Sequence, residues 1–158
     1  MNEVADRLDV AETVYRYALG IDTRDWALYR SIFAPEVTID FSSYSGRDAA
    51  TMPAEQWLAA VRPQFMGLAA TQHSMTNPMV VVSGDRATCT MYMQAHHVFQ
   101  PDDPTSWFTI GGYYTDTLMR SPDGPAGWLI TGVTLTVLWR RGDPAIMVQA
   151  RQHGSEPQ

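Results

Sequence analysis

The stretch Tyr17-Ala-Leu-Gly-Ile-Asp-Thr-Arg-Asp-Trp26 decides the fold prediction, because it ends an apolar helix with an acid beside the buried side. From about Leu8, apolar side chains recur at three- and four-residue spacing, which predicts a helix with one apolar stripe. The stripe comprises Val10, Val14, Tyr17, Ala18 and Ile21. Asp22 borders it, and is either a solvated carboxylate near a helix end or an acid inside a pocket with partners elsewhere in the chain.

Length and hydrophobic content predict a single domain. The chain has 158 residues, of which 45% are hydrophobic, and this is enough for a sizeable core. We expect the domain to span residues 1–150, with 151–158 as a frayed tail. The formal net charge of −6 carries no long charge runs, which argues against nucleic acid or an anionic membrane surface as partner.

Several reaction classes are excluded by composition. All basic residues are arginines, so Schiff-base chemistry on a lysine is impossible. Cys89 is the single cysteine, which excludes an internal disulfide and a thiolate metal cluster. The sequence has no visible signal peptide or apolar stretch of membrane length, so we expect a cytoplasmic protein that does not enter membranes.

The first half of the chain reads as helices around one strand. A second, shorter helix is predicted from Trp26 to Phe33 with Asp25 as its N-terminal cap, and Pro35 should end it. Residues 37–41 alternate apolar with polar, as a half-buried strand does. A polar loop is predicted over residues 42–51, and Pro53 opens another helix with proline in its first turn.

The second half reads as long strands joined by hairpins. Ser83-Gly-Asp85 is a tight turn signal, and strands are predicted on both sides of it. The predicted strands are Met79–Val82, Ala87–Phe99, Trp107–Arg120 and Trp128–Trp139. Helices followed by hairpin-linked strands indicate an α+β domain with helices on one face of a curved antiparallel sheet.

Strand alternation selects the candidate site residues. Met91 and His97 share the apolar face of one strand, and Phe108, Tyr114 and Asp116 share that of the next. His73 immediately precedes the long strands, where a side chain can point into a cavity. The ordinary alternatives are a core histidine with satisfied hydrogen bonds for His97 and a surface loop histidine for His73.

Tyrosines, acids and histidines in this arrangement favour proton transfer on a neutral organic substrate, because histidine titrates near neutrality and a carboxylate can fix its tautomer. The candidates are Tyr17, Asp22, His73, His97, Tyr114 and Asp116. A metal site is the rival interpretation, but the short-spaced ligand motifs that it needs are missing. Serine-nucleophile and phosphate-binding motifs are missing as well. We therefore expect neither a cofactor nor a metal.

The order and spacing of several motifs resemble a known family. The motifs are Tyr17-x4-Asp22-x2-Asp25-Trp26, Phe33-Ala-Pro, Ile39-Asp-Phe41, Met52-Pro-Ala-Glu55, Thr71-Gln-His73, His97 and Gly112-x-Tyr-x-Asp116. From about Val4 to Gly142 they look like scytalone dehydratases and, more broadly, the SnoaL-like branch of the nuclear transport factor 2 (NTF2-like) superfamily. The resemblance implies a cone: a strongly bent antiparallel sheet against three helices, with a deep apolar cavity.

The resemblance also implies roles for the candidate residues. His73 would be the main acid/base, and Asp22 would hold His97 across the pocket by a hydrogen bond. Enzymes of this type remove a proton beside a ketone and expel a hydroxyl as water, without metal or cofactor. The expected partner is a small apolar cyclic substrate that contacts Ile21, Phe41, Tyr44, Met91, Phe108, Tyr114 and Asp116. A homodimer or homotrimer through the outer sheet face, with Thr88, Thr90, Tyr92 and Gln94, is also expected.

Two positions depart from the pattern, because Ile21 and Phe41 stand where scytalone dehydratases carry tyrosines. Tyr17 matches instead the tyrosine of the related bile-acid dehydratases, and Tyr44 or Tyr114 could also donate a hydrogen bond. We therefore expect a dehydratase or isomerase for another cyclic hydroxyketone, such as a polyketide, aromatic or steroid-like intermediate. The alternatives are a non-catalytic small-molecule binding module and a SnoaL-like polyketide cyclase with Asp116 as base.

Overall fold

A computed structural model describes residues 3–155, and this part of the chain forms five helices and six strands. The helices are α1 (Glu3–Asp22), α2 (Trp26–Ser31), α3 (Ser42–Ser45), α4 (Ala54–Met66) and α5 (Ala145–Gly154). The strands are β1 (Phe33–Asp40), β2 (Ala50–Pro53), β3 (Ala70–Ser83), β4 (Arg86–Val98), β5 (Trp107–Arg120) and β6 (Trp128–Gly142). None of the helices described is long and apolar enough to cross a membrane.

The six strands form one sheet in the order β2-β1-β6-β5-β4-β3. Interruptions of the pairing register in β3–β4 and β5–β6 bend the long strands, which allows the sheet to curve around the helices. The predicted α+β class is confirmed, with helices and the inner sheet face sharing one core. One strand pair differs from the prediction, because β1 runs parallel to β6. Nearly ninety residues separate these two strands, so no hairpin forces them to be antiparallel.

The apolar stripe of α1 is buried as its spacing predicts, and the helix packs mainly against β3. Asp25 caps α2 by accepting a hydrogen bond from the backbone N–H of Leu28 at 2.9 Å, which confirms the predicted cap. Helix α2 ends at Ser31 rather than Phe33. Pro35 lies inside β1, where the pairing with β6 is interrupted between Phe33 and Thr38 and no ladder N–H is required.

The predicted polar loop over residues 42–51 contains a short helix at its start and a strand at its end. Asp40 accepts hydrogen bonds from the backbone and hydroxyl of Ser42, which starts α3, and Gly46 ends that helix with a left-handed φ of 72°. The chain then forms β2 along the edge of β1. Strand β3 begins at Ala70, so His73 lies within an edge strand and not in a loop before it.

The part of the expected tail that the structure describes is helical as far as Gly154. Helix α5 continues to Gly154 and buries Ile146, Met147 and Ala150 against the core. Close approach of α5 to α4 depends on glycine, because a Cβ on Gly67 would collide with the carbonyl oxygen of Ala150. Residues 156–158 of the predicted tail lie outside the described residues.

The outer face of β4 carries the residues expected there. Tyr92 and Gln94 are exposed, while Thr88 and Thr90 are half-buried. Exposed apolar side chains on other strands of the sheet, among them Val81 on β3 and Leu138 on β6, extend this surface. Assembly of a dimer or trimer through it stays a prediction.

Candidate active site

A cavity of about 440 Å³ opens between the inner face of the sheet and helices α4 and α5. Six of the predicted site residues line it: Tyr17, Phe41, Tyr44, His73, His97 and Tyr114. The two histidines are buried, whereas the charged side chains Arg47, Asp48 and Arg151 are exposed at the mouth. The cavity therefore runs from a charged rim to an aromatic interior that contains both imidazoles.

Asp22 is bonded to His73, and not to His97 as the resemblance implied. Its Oδ1 lies 2.7 Å from Nδ1 of His73, and its Oδ2 accepts the backbone N–H of the same residue at 2.7 Å. The physical reason is the position of α1, which packs on the edge strand β3 and brings its last residue to that strand first. His97 lies one strand further in, with its Cα opposite Thr71.

The protonation of this pair follows from its geometry. Burial by itself raises the pKa of Asp22, but hydrogen bonds from His73 and Thr71 outweigh it and leave the pKa below the usual value of a carboxyl. Asp22 is thus a carboxylate at neutral pH and can only accept hydrogen bonds. Nδ1 of His73 must then carry a proton, which leaves Nε2 as the free nitrogen of the neutral ring.

His97 is held as a second neutral imidazole. Its Nδ1 donates to the carbonyl oxygen of Phe108 at 3.0 Å. Burial and the neighbouring His73 lower the pKa of His97 from 6.5 to about 4. The two imidazole rings lie 5.9 Å apart and nearly perpendicular, and the Phe65 ring contacts both of them. At neutral pH His97 can therefore accept a hydrogen bond through Nε2 but carries no charge.

Three tyrosine rings pack together beside the histidines. The Tyr17 ring lies 5.1 Å from Tyr29 and 5.4 Å from Tyr114, and Trp57 donates its indole N–H to the Tyr29 hydroxyl at 2.9 Å. Burial raises the pKa of Tyr17 and of Tyr114 well above the usual value of a phenol. Both hydroxyls stay protonated, and side-chain hydrogen bonds join Tyr17 to Tyr29 and to Tyr114. A hydroxyl that turns from its tyrosine partner to the cavity can donate a hydrogen bond there.

Four predicted contact residues do not line the cavity: Ile21, Met91, Phe108 and Asp116. All are 1–2% exposed and belong to the packed interior. Strand alternation placed Met91, Phe108 and Asp116 correctly on the inner face, and helical periodicity placed Ile21 on the buried side of α1. Neither period says how far along the cone axis a residue lies. Asp116 is the most consequential correction, because the cyclase alternative requires it as a base.

Asp116 is a neutral acid in an apolar environment. Burial raises its pKa well above the usual value of a carboxyl, and its Oδ1 has no hydrogen-bond partner among residues 3–155. A protonated acid outside the cavity wall cannot take a proton from a molecule in the cavity. The geometry therefore gives no support to a role of Asp116 as base.

Several lining residues were not among the sequence candidates. Trp57 and Phe65 come from α4, whose apolar side was visible in the sequence, and Met93 lies between Met91 and His97 in the same alternation. These could have been found from periodicity. Met147 and Arg151 come from α5, for which the sequence carried no recognised helix signal.

Comparison with known proteins agrees with this architecture. The model of the SnoaL-like domain family matches residues 2–134. An uncharacterised protein of Mycobacterium tuberculosis is 31% identical over 122 residues, covering 77% of this chain and 80% of the relative. A scytalone dehydratase of Aspergillus fumigatus is 27% identical over 144 residues, covering 87% of this chain and 84% of that relative.

Among solved structures, that of a Kribbella flavida protein is 29% identical to this chain. It matches with a TM-score of 0.83 and covers 94% of this chain and 99% of its own. With the family model, this similarity extends over both the helices and the sheet. The chain therefore belongs to the SnoaL-like family and has the NTF2-like cone fold.

Proposed function

We propose that this protein is a cofactor-independent dehydratase or isomerase for a cyclic hydroxyketone. The observation that carries the proposal is the hydrogen bond of 2.7 Å between Asp22 and Nδ1 of His73 in the wall of an aromatic cavity. A carboxylate in this position orients the imidazole and stabilises the cation that forms when Nε2 accepts a proton. The relatives support the same class, since one of them is a scytalone dehydratase.

In the proposed reaction, Nε2 of His73 takes a proton from the carbon next to the ketone. The electrons of the broken C–H bond form an enolate, whose oxygen accepts hydrogen bonds from the protonated hydroxyls of Tyr17 or Tyr114. The enolate then re-forms the ketone, makes a C=C bond and expels the β-hydroxyl. The proton on His73 goes to that hydroxyl, which leaves as water.

His73 supplies both proton steps in this scheme because His97 is neutral and has no proton on Nε2 to give. One base that serves both steps requires the abstracted hydrogen and the leaving hydroxyl to lie on the same face of the ring. If the proton returns to a different carbon, the same residues catalyse isomerisation. The role of His97 is then to accept a hydrogen bond from the substrate.

The cavity supports a cyclic, largely apolar substrate. Its volume of about 440 Å³ is in the range of small-molecule sites, roughly 300–1,000 Å³. Phe41 fills one of the positions at which scytalone dehydratases carry a tyrosine and packs on Trp57 with ring centroids 5.4 Å apart. The other position, Ile21, is buried behind the wall. A substrate other than scytalone, polarised by Tyr17 or Tyr114, fits this wall better.

The test uses two bicyclic probes, α-tetralone and its β-hydroxy derivative. Wild-type protein should exchange the α-protons of α-tetralone in deuterium oxide, followed by NMR, and should convert the hydroxyketone to naphthol and water. His73→Ala and Asp22→Asn should abolish both reactions while the proteins remain folded. His96→Ala is the matched control, because His96 lies on the neighbouring strand β4 and on the exposed face of the sheet.

Two outcomes would contradict the proposal. Unchanged exchange in both His73→Ala and Asp22→Asn would remove the base from the mechanism. Binding of the tetralones without exchange or dehydration in the wild type would favour a non-catalytic binding module for this ring class.

A further inference from the structure

Arg24 lies two residues beyond the end of α1, in a backbone conformation that arginine seldom adopts. Its φ is 58°, in the left-handed region where glycine and asparagine are favoured. Such outliers persist where the surrounding structure holds them, and they concentrate at functional sites. A glycine would suit this backbone conformation better, so the contacts of the Arg24 side chain are what distinguish the arginine.

The guanidinium of Arg24 connects three segments near Asp22. Its Nη1 donates to the carbonyl oxygen of Ile21 at 2.8 Å and to the hydroxyl of Thr71 at 3.0 Å. Its Nη2 lies 3.4 Å from the carbonyl oxygen of Leu68. The end of α1, the segment after α4 and the start of β3 are thus held by one planar group. A lysine has a single ammonium group and cannot reproduce this fork.

The direction of the hydrogen bonds is fixed by chemistry. An arginine only donates, so the Thr71 hydroxyl must accept from Arg24 and use its single proton elsewhere. That proton goes to Oδ1 of Asp22, which lies 2.9 Å away. The same Oδ1 accepts Nδ1–H of His73. The series runs in one direction, from Arg24 through Thr71 and Asp22 to His73.

Thr71 separates the Arg24 guanidinium from the Asp22 carboxylate. No direct ion pair joins Arg24 to the Asp22 carboxylate among the described residues, although the two are only two positions apart. A direct bidentate pair would occupy both carboxylate oxygens and compete with His73. With Thr71 between them, the arginine stabilises the carboxylate while its oxygens stay available for His73.

We propose that Arg24 and Thr71 are positioning residues that hold the Asp22 carboxylate on Nδ1 of His73 and so keep Nε2 free for the substrate. The catalytic consequence rests on the function proposed above, but the positioning itself is a property of the protein without substrate. Arg24 is kept at a backbone position suited to glycine because its guanidinium performs this task.

The first test is NMR of the ligand-free protein, which records the Nδ1 proton of His73 and the titration of the Asp22 carboxyl carbon. Arg24→Gly suits the backbone and removes the guanidinium, and Thr71→Val removes the hydroxyl at nearly constant volume. Both should weaken or broaden the Nδ1 proton signal and move the titration midpoint of Asp22 to higher pH. Thr71→Ser keeps the hydroxyl and should retain the wild-type values.

Asn77→Gly is the matched control for backbone effects. Asn77 has the same φ of 58° but is exposed on β3, away from the cavity. This variant should leave the His73 signal and the Asp22 midpoint unchanged. Wild-type values for both quantities in Arg24→Gly and Thr71→Val would overturn the proposal, and so would equal changes in Asn77→Gly.

Activity provides the second test. On the tetralone probes, Thr71→Val should lower kcat by on the order of tenfold, as the loss of an orienting partner commonly does, with little change in KM. Thr71→Ser should restore most of the rate. If the wild type has no activity on these ketones, the NMR experiment still decides the positioning role, so the two proposals fail separately.

Discussion

The neutral state of His97 makes the stability of this protein depend on pH in a defined window. Its pKa is about 4 in the folded protein, against 6.5 for an unperturbed histidine. As the pH falls below 6.5, the His97 imidazole binds a proton in the unfolded chain but not in the folded protein. The free energy of unfolding therefore decreases until about pH 4. The difference between the two pKa values corresponds to about 3 kcal/mol of unfolding free energy. About 2 kcal/mol of this stability is lost between roughly pH 7.5 and pH 5.

The assay is urea denaturation at these two pH values for the wild type and His97→Asn. Asparagine does not titrate, and its amide can still donate to the carbonyl oxygen of Phe108. The variant should lose about 2 kcal/mol less stability than the wild type on acidification. His96→Asn, on the exposed face, is the control and should behave like the wild type. Equal pH dependence in the wild type and His97→Asn would refute the buried, neutral assignment. The pKa of Asp22 is lowered in the folded protein, so this carboxyl changes the free energy of unfolding only below its usual value of 3.8. It does not affect the comparison of the two pH values used here.

Two further predictions concern packing and burial. Gly67→Ala should destabilise the protein by about 1–3 kcal/mol, measured by thermal or urea unfolding, because the new Cβ collides with the backbone of Ala150 and separates α5 from α4. Asp116→Asn should be more stable than the wild type at neutral pH, and the difference in stability should shrink toward pH 3.8. The reason is that burial raises the pKa of Asp116 in the folded protein, so the carboxyl of the unfolded chain ionises at lower pH than that of the folded protein. A Gly67→Ala protein of wild-type stability would contradict the close packing of α4 and α5. An Asp116→Asn protein less stable than the wild type at neutral pH would contradict the raised pKa of Asp116.

The inner faces of the strands could be predicted from alternation alone. His97, Tyr114 and Asp116 all lie on the buried side, as a period of two requires. Their depth could not be predicted, because it depends on where the curved sheet opens. His97 and Tyr114 reach the cavity, whereas Asp116 lies in the packed interior.

The partner of Asp22 shows a second limit of the sequence. His73 and His97 lie on adjacent strands, and either was compatible with an acid at the end of α1. Only the packing of that helix on β3 selects His73. Helix α5 was missed for a related reason, since it is held by its contacts with α4 and not by a strong local signal.

By itself, the sequence determined the α+β class, the inner face of each long strand and the resemblance of its motifs to the SnoaL-like family, because these depend on local periodicity and on residue order. The tertiary structure decided which acid meets which histidine, which tyrosines reach the cavity and which carboxyl stays protonated in the core. These properties depend on distances and burial between segments far apart in the chain, and periodicity within one segment does not specify them.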